Sequence, residues 1–136
     1  MLNGTDSQGE IYIIKINKLD RDGDHGIWSP ATIAKEFIPV ELDITDLITK
    51  AGTYDVTFQY TQGRHRLDIQ SAALIQDGQQ VSIDQHEGFS GGSKRGNIYR
   101  IKLEEYQRNS TYTLKAYIKG GGGIDSHGKI SITPRP

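Results

Sequence analysis

Apolar and polar residues alternate one by one between Gly52 and Gly63. The apolar set of this alternation is Tyr54, Val56, Phe58 and Tyr60. A period of two puts these side chains on one face of a β-strand, whereas a helix repeats every 3.6 residues. The segment therefore predicts a strand with one buried face and one face in water, and Phe58 is expected in the core.

The same alternation recurs along the chain. It predicts strands at residues 11–19, 37–44, 53–61, 66–76, 81–84, 97–104, 111–118 and 128–133. Ile16 and Ala73 are among the expected core-facing side chains, Pro39 indicates an edge strand or bulge, and Asp77-Gly78 is typical of a hairpin turn. Half-buried strands pack their apolar faces together in two sheets. The predicted fold is all-β, an antiparallel two-sheet jelly-roll sandwich of about eight strands.

The length of 136 residues suits one domain. We expect the sandwich at 11–133, a disordered or linker start at 1–10 and a short tail at 134–136. The chain has no cysteine, which excludes a disulfide scaffold and a cysteine-liganded zinc but leaves the compartment open.

Charge and hydropathy exclude two classes of partner. Sixteen Lys and Arg face seventeen Asp and Glu, so the chain lacks the basic excess of nucleic-acid binders. No apolar run approaches the roughly 20 residues of a membrane-spanning helix. We therefore expect neither nucleic acid nor a membrane span.

Strand parity predicts where the loops lie, because successive antiparallel strands put their connections at alternate ends. All four histidines fall in loops assigned to one end: His25, His65, His86 and His127. Trp28, Phe89 and Arg64 are expected beside them. This end is either a binding surface or simply the place where long loops collect polar residues.

Asp20, Asp22 and Asp24 are spaced at alternate positions, as in oxygen-rich calcium loops. The EF-hand pattern fails at His25, where glycine is expected, and at Ala31, where glutamate should close the site. The three carboxylates therefore either bind a structural calcium ion or form a solvated polar turn, and no other cofactor is expected.

Arg64, His65 and Arg66 bring two guanidinium groups and an imidazole to the start of a strand. Such a group either hydrogen-bonds sugar hydroxyls or a carboxylate, or it forms structural ion pairs with Asp68 and Asp84.

Sequence motifs for catalysis are weak in this chain. Asp125-Ser126-His127 has the residue types of a hydrolytic triad, but neighbours on one loop do not form a proton-transfer line. A phosphate loop, a dinucleotide fingerprint and a nucleophile elbow are all missing.

The placed motifs carry a family resemblance. In order, they are Gly63-Arg64-His65-Arg66, Asp84-x-His86-x-Gly88-x-x-Gly91 and Gly122-Gly123-x-Asp125-Ser126-x-Gly128. Over residues 11–133 the chain resembles the β-sandwich accessory domain at the carboxyl end of secreted bacterial β-N-acetylhexosaminidases, or chitobiases. The resemblance implies a galactose-binding-like jelly roll that is not itself catalytic. It also implies a secreted, periplasmic or cell-surface location in a bacterium.

Three hypotheses follow. The chain is an accessory domain that docks on a glycoside hydrolase, a free-standing carbohydrate-binding module, or a small hydrolase. The expected partners are the catalytic domain of the parent enzyme and an oligosaccharide. The expected ligand contacts are Trp28, Arg64, His65, Arg66, His86 and Phe89.

Overall fold

The computed structural model describes residues 16–136, and these form ten β-strands and no helix. The strands are β1 Asn17–Lys18, β2 Asp20–Asp22, β3 His25–Trp28, β4 Ile38–Asp43, β5 Gly52–Gln62, β6 Arg66–Gln76, β7 Gln79–Ser90, β8 Gly96–Leu103, β9 Tyr112–Gly121 and β10 His127–Pro134. The all-β prediction is confirmed, with ten strands instead of eight. No helix within this range is long and apolar enough to cross a membrane.

Two five-stranded sheets form the sandwich. Sheet 1 has the order β1-β4-β9-β6-β7, and sheet 2 has the order β2-β3-β10-β5-β8. All neighbouring pairs are antiparallel except β1 and β4. The inner faces enclose one continuous apolar core, which is the arrangement that alternating strands require.

Phe58 lies at the centre of this core with no exposed surface, as predicted. Its ring centroid is 6.4 Å from that of Trp28 and 5.7 Å from that of Tyr99, with Tyr99 edge-on. The Tyr99 pair has the edge-to-face geometry that aromatic quadrupoles favour. The strict alternation of β5 therefore identifies the side of the strand that faces the core.

The first predicted strand differs from the structure. Its residues 11–15 lie outside the described part, and the remainder contains only the two-residue β1; the chain then enters β2, which belongs to the other sheet. Ile16 is 42 % exposed, so its assignment to the core was wrong. The chain then turns at Gly23 into β3, which lies in a segment predicted as a loop.

A bulge in β6 changes which residues face the core. Relative to β9, two residues of β6 span one residue between Ile69 and Ser71, so one extra residue occupies β6; relative to β7, the shift at the same point places the extra residue on β7. After the shift, Ala72 and Leu74 pack inward, and Ala73 faces outward. Ala73 is buried, with 4 % of its surface exposed, as a core position would be, but it lies on the outer face of the sheet, because simple alternation contains no bulge.

The hairpin between β6 and β7 is confirmed. Asp77 and Gly78 have φ of 49° and 83°, as a two-residue turn of this kind requires. The Asp77 carboxylate accepts hydrogen bonds from the Thr111 amide at 2.9 Å and the Ser110 hydroxyl at 2.7 Å. The Thr111 bond in particular holds the pKa of Asp77 below its usual value.

Side chains close the seam between β7 and β8, the last strands of the two sheets. The Asp84 carboxylate accepts a hydrogen bond from the Arg100 amide at 2.9 Å, and the Ser82 hydroxyl accepts one from the Lys102 amide at 2.8 Å. The predicted strand 81–84 lies in the first half of a much longer strand, Gln79–Ser90.

The four histidines do not share one end. His65 and His127 lie at the end where β5 finishes and β10 begins. His25 pairs with Ser131 in the middle of sheet 2, beside a hairpin that points toward the opposite end. His86 lies within β7. The parity prediction failed because the β2–β3 hairpin and the length of β7 were not foreseen.

The tail prediction also needs correction. Pro134 belongs to β10, and the Arg135 amide donates a hydrogen bond to the Thr53 carbonyl at 2.8 Å.

Candidate functional site

The outer face of sheet 1 carries a hollow of about 490 Å³, which we call the upper groove. It lies near the end of the sandwich where β6 begins. Its lining comes from the segment before β4 and from β6, β7 and β9: Phe37, Arg66, Asp68, Ile69, Gln70, Glu87, Gly88, Phe89 and Lys119. Most of these are outward positions of strands whose inward positions build the core, so the sheet fixes their spacing.

Strand register sets the groove's central residues side by side. Asp68 of β6 is directly opposite Lys119 of β9 on one side and Phe89 of β7 on the other. The Lys119 ammonium lies 4.9 Å from the ring centroid of Phe37. Four side chains therefore form one row across the sheet, which we call the groove row. Their order is Phe37, Lys119, Asp68 and Phe89.

Arg66 completes the upper groove above this row. Its guanidinium carbon lies 4.5 Å from the Phe89 ring centroid, and its Nε donates a hydrogen bond to Asp68 Oδ1 at 2.8 Å. Gly121 pairs with Arg66, and a Cβ there would approach the Arg66 side chain to 2.7 Å and both Asp68 carboxylate oxygens to 3.0 Å. Because Gly121 has no side chain, there is space beside it for the side chains of Arg66 and Asp68.

The side chains of the upper groove differ in their exposure to solvent, which distinguishes its floor from its rim. The Asp68 side chain is 16 % exposed and lies low in the groove, whereas the Arg66 side chain is 52 % exposed and lies at its edge. Phe37, Phe89 and Lys119 are partly exposed, and Gln70 and Glu87 are open to solvent. The groove thus combines two accessible aromatic rings with hydrogen-bond donors and acceptors, the combination by which protein sites orient small polar ligands.

Of the predicted ligand contacts, Arg66 and Phe89 lie in the upper groove and Trp28 does not. Trp28 is fully buried, and its indole N–H donates a hydrogen bond to the Ser126 hydroxyl at 3.1 Å. It packs against Gly128, where no side chain would fit. The expectation that Trp28 contacts a ligand is therefore corrected, because its side chain is packed inside the core.

Arg64 and His65 lie in a loop that Asp125 fastens. The Asp125 carboxylate accepts hydrogen bonds from the backbone amides of both residues at 3.0 Å and lies 3.1 Å from His65 Nδ1. The bond from the Arg64 amide is the main cause that holds the pKa of Asp125 below its usual value. The His65 ring fills the space beside Gly123. We call this contact set the Asp125 clasp, and its evident role is structural.

His86 belongs to the seam between the sheets. Its ring stacks on Tyr99 with centroids 3.9 Å apart, and its Nδ1 lies 2.8 Å from Asp84 Oδ1. The Tyr99 hydroxyl lies 2.8 Å from the His86 carbonyl and 3.0 Å from the Ile69 carbonyl and donates to this pair. Burial, aided by the negative charge of Asp84, raises the pKa of Tyr99 to about 12.

The three aspartates proposed for calcium do not converge. Between them, Arg21 forms an ion pair with Asp46 at 2.5 Å and donates to the Gly23 carbonyl. Within residues 16–136, no group of three or more histidine and acidic side chains is placed to hold a metal ion. The guanidinium supplies the local positive charge at this turn, and Asp20, Asp22 and Asp24 are exposed.

Sequence reasoning missed most of the groove. Asp68 was treated only as an ion-pair partner, and Phe37, Gln70, Glu87 and Lys119 were not singled out. The usable signal for Gln70 and Lys119 was parity: each is adjacent to a core residue, Ile69 or Ile118, and faces outward on a strand of sheet 1. Strand order decides which outward-facing residues become neighbours, and the alternation of apolar and polar residues does not predict strand order.

Comparison of the sequence with models of known protein families and with curated proteins found no match.

Proposed function

We propose that this chain is a non-catalytic accessory module of a glycoside hydrolase and that it contacts glycan through the upper groove. The observation that carries the proposal is the groove row, in which Lys119 and Asp68 lie between the rings of Phe37 and Phe89. The sequence resemblance to chitobiase accessory domains supports the same class of function.

A sugar ring has an apolar C–H face and a polar rim of hydroxyls. The partly exposed rings at either end of the groove row offer surfaces for the apolar face. Lys119 donates hydrogen bonds, Asp68 accepts them, and Gln70 does both. The groove row therefore offers contacts both to the apolar face and to the hydroxyl groups of a pyranose.

The charges of the groove favour a neutral sugar. Arg66 and Lys119 are balanced by Asp68 and Glu87. An adjacent cation and carboxylate can hold two neighbouring hydroxyls, one as acceptor and one as donor. The carboxylate of an acidic sugar would meet both the cations and the carboxylates of the groove, so the balanced charges offer it little net attraction.

A binding role fits the acidic groups better than hydrolysis does. Glycoside hydrolysis needs one protonated carboxylic acid beside an ionised one. In the upper groove, the Asp68 carboxylate is already engaged by Arg66 in an ion pair at 2.8 Å. The proposed partners are accordingly the catalytic domain of a parent glycoside hydrolase and an oligosaccharide, in a secreted, periplasmic or cell-surface location.

Isothermal titration of the purified chain with neutral oligosaccharides, including chito- and cello-oligosaccharides, tests the proposal. We expect binding that Phe89→Ala weakens about fivefold or more, since aromatic contacts of this kind contribute roughly 1 kcal/mol. Ile98→Ala, an exposed change on sheet 2, is the matched control and should leave affinity unchanged. Equal affinities of the Phe89→Ala variant and the wild type would overturn the proposed site.

Activity is tested separately with a chromogenic N-acetylglucosaminide. We expect no hydrolysis by this chain alone. Release of the chromophore that Glu87→Gln abolishes would favour the small hydrolase instead.

A further inference from the structure

A second hollow, of about 230 Å³, lies on the same outer face of sheet 1, further along β6. We call it the lower groove. Its lining is Ser71, Ala73, Ile75, Gly78, Gln80, Ile83, Lys115 and Tyr117. The upper groove uses Arg66, Asp68 and Gln70 of β6, and the lower groove uses the next three outward positions.

The β6 bulge joins the two hollows. Because the register shifts between Ile69 and Ser71, the consecutive residues Gln70 and Ser71 both face outward. Without the bulge, alternation would have turned the second half of β6 over and directed Ala72 and Leu74 outward. The outward row is therefore continuous from Arg66 to Ile75.

Like the upper groove, the lower groove has an aromatic ring with a nearby cation, although no carboxylate lines it in the described part of the chain. Tyr117 is opposite Ser71, and Lys115 is opposite Ala73, with the Lys115 ammonium 5.8 Å from the Tyr117 ring centroid. Ile83 flanks Ala73 on the other side and is 41 % exposed. An aromatic ring, a cation, a hydroxyl and apolar surface lie together.

We infer that the two hollows form one binding trough along β6 and that its ligand is a linear segment of a neutral polysaccharide, not a single terminal sugar. This inference rests on the proposed function of the upper groove. From Arg66 to Ile75 the strand advances by eight residues of its partner β9, from Gly121 to Thr113, or about 26 Å at roughly 3.3 Å per residue. That length exceeds one sugar ring several times.

Tyr117 distinguishes binding of a single terminal sugar from binding of a linear segment, because it lines only the lower groove. A disaccharide held in the upper groove does not need it, whereas a longer chain along β6 contacts it.

The test compares chitobiose with chitohexaose, and cellobiose with cellohexaose, by isothermal titration against wild type and variants. We expect the hexasaccharide of the bound series to bind at least tenfold more tightly than its disaccharide. Tyr117→Ala should remove most of that gain and leave disaccharide affinity unchanged. Ile83→Ala, at a more exposed position, should reduce the gain in the same direction. Ile98→Ala on sheet 2 is the control, and unchanged melting temperatures verify that each variant is folded.

The outcomes separate this inference from the proposed function. Hexasaccharide and disaccharide affinities within threefold of each other, with both sensitive to Phe89→Ala, would overturn the trough and keep the upper groove. A length gain that both Tyr117→Ala and Ile83→Ala leave intact would also overturn the trough. Failure of every oligosaccharide to bind would overturn the proposed function and the trough together.

Discussion

Phe58→Ala is the sharpest test of the core. The Phe58 side chain has no exposed surface, and it contacts two further buried rings, those of Trp28 and Tyr99, at 6.4 and 5.7 Å between centroids. Phenylalanine-to-alanine changes in cores cost about 3–5 kcal/mol, because the transfer energy is lost and a cavity remains. With aromatic neighbours on two sides, we expect about 4 kcal/mol here.

A thermal melt measures this loss. At about 2.1 cal/mol/K per residue, unfolding 136 residues has an entropy near 0.28 kcal/mol/K, so 4 kcal/mol lowers the melting temperature by about 14 °C. Ile98→Ala is the matched control, since Ile98 is opposite Thr57 on the outer face of the same sheet and is 45 % exposed. It should shift stability by about 0.5 kcal/mol or less. A fall of under 2 °C for Phe58→Ala would refute the face assignment of β5.

Two further changes test the packing of one end. Gly128→Ala would push a Cβ into the Trp28 ring, so we expect a loss of about 1–3 kcal/mol or more in chemical denaturation, and wild-type stability would contradict the plugged position of Trp28. The Asp125 clasp predicts pH dependence: because folding lowers the pKa of Asp125, its contribution is complete above the unfolded value of 3.8 and is lost as pH falls through the folded value. Between about pH 5 and pH 2, wild type should therefore lose more stability than Asp125→Asn, and parallel pH profiles would show that the hydrogen bonds from Arg64 and His65 do not favour the ionised carboxylate.

Alternation predicted the parts of the fold that follow from local periodicity. β5 begins and ends within one residue of its predicted bounds, β6 has the bounds 66–76 that were predicted, and the Asp77-Gly78 turn is correct. In these segments the apolar face alone decides which side is buried. The differences at Ala73 and Ile16 have non-local causes, namely a bulge and a chain that passes to the other sheet.

The candidate site was only partly predictable for a related reason. Arg66 and Phe89 were identified by residue type, but their juxtaposition depends on β7 lying beside β6. The conspicuous motif residues have structural roles instead. Asp125 fastens a loop, Ser126 bonds to Trp28, and His86 stacks on Tyr99. A search for sequence motifs selects such residues because their specific packing requires a particular residue type.

The side-chain seam between β7 and β8 has a consequence for association between molecules. An unpaired strand edge presents amides that a strand from another chain can extend into a larger sheet, which leads to aggregation. Asp84 and Ser82 occupy two such amides on β8. The edges at the other side of the sandwich are β1 and β2, of two and three residues. In the described part of the chain, two amides of the β8 edge are occupied and the strands at the other edges are short, so we expect little edge-to-edge pairing between copies.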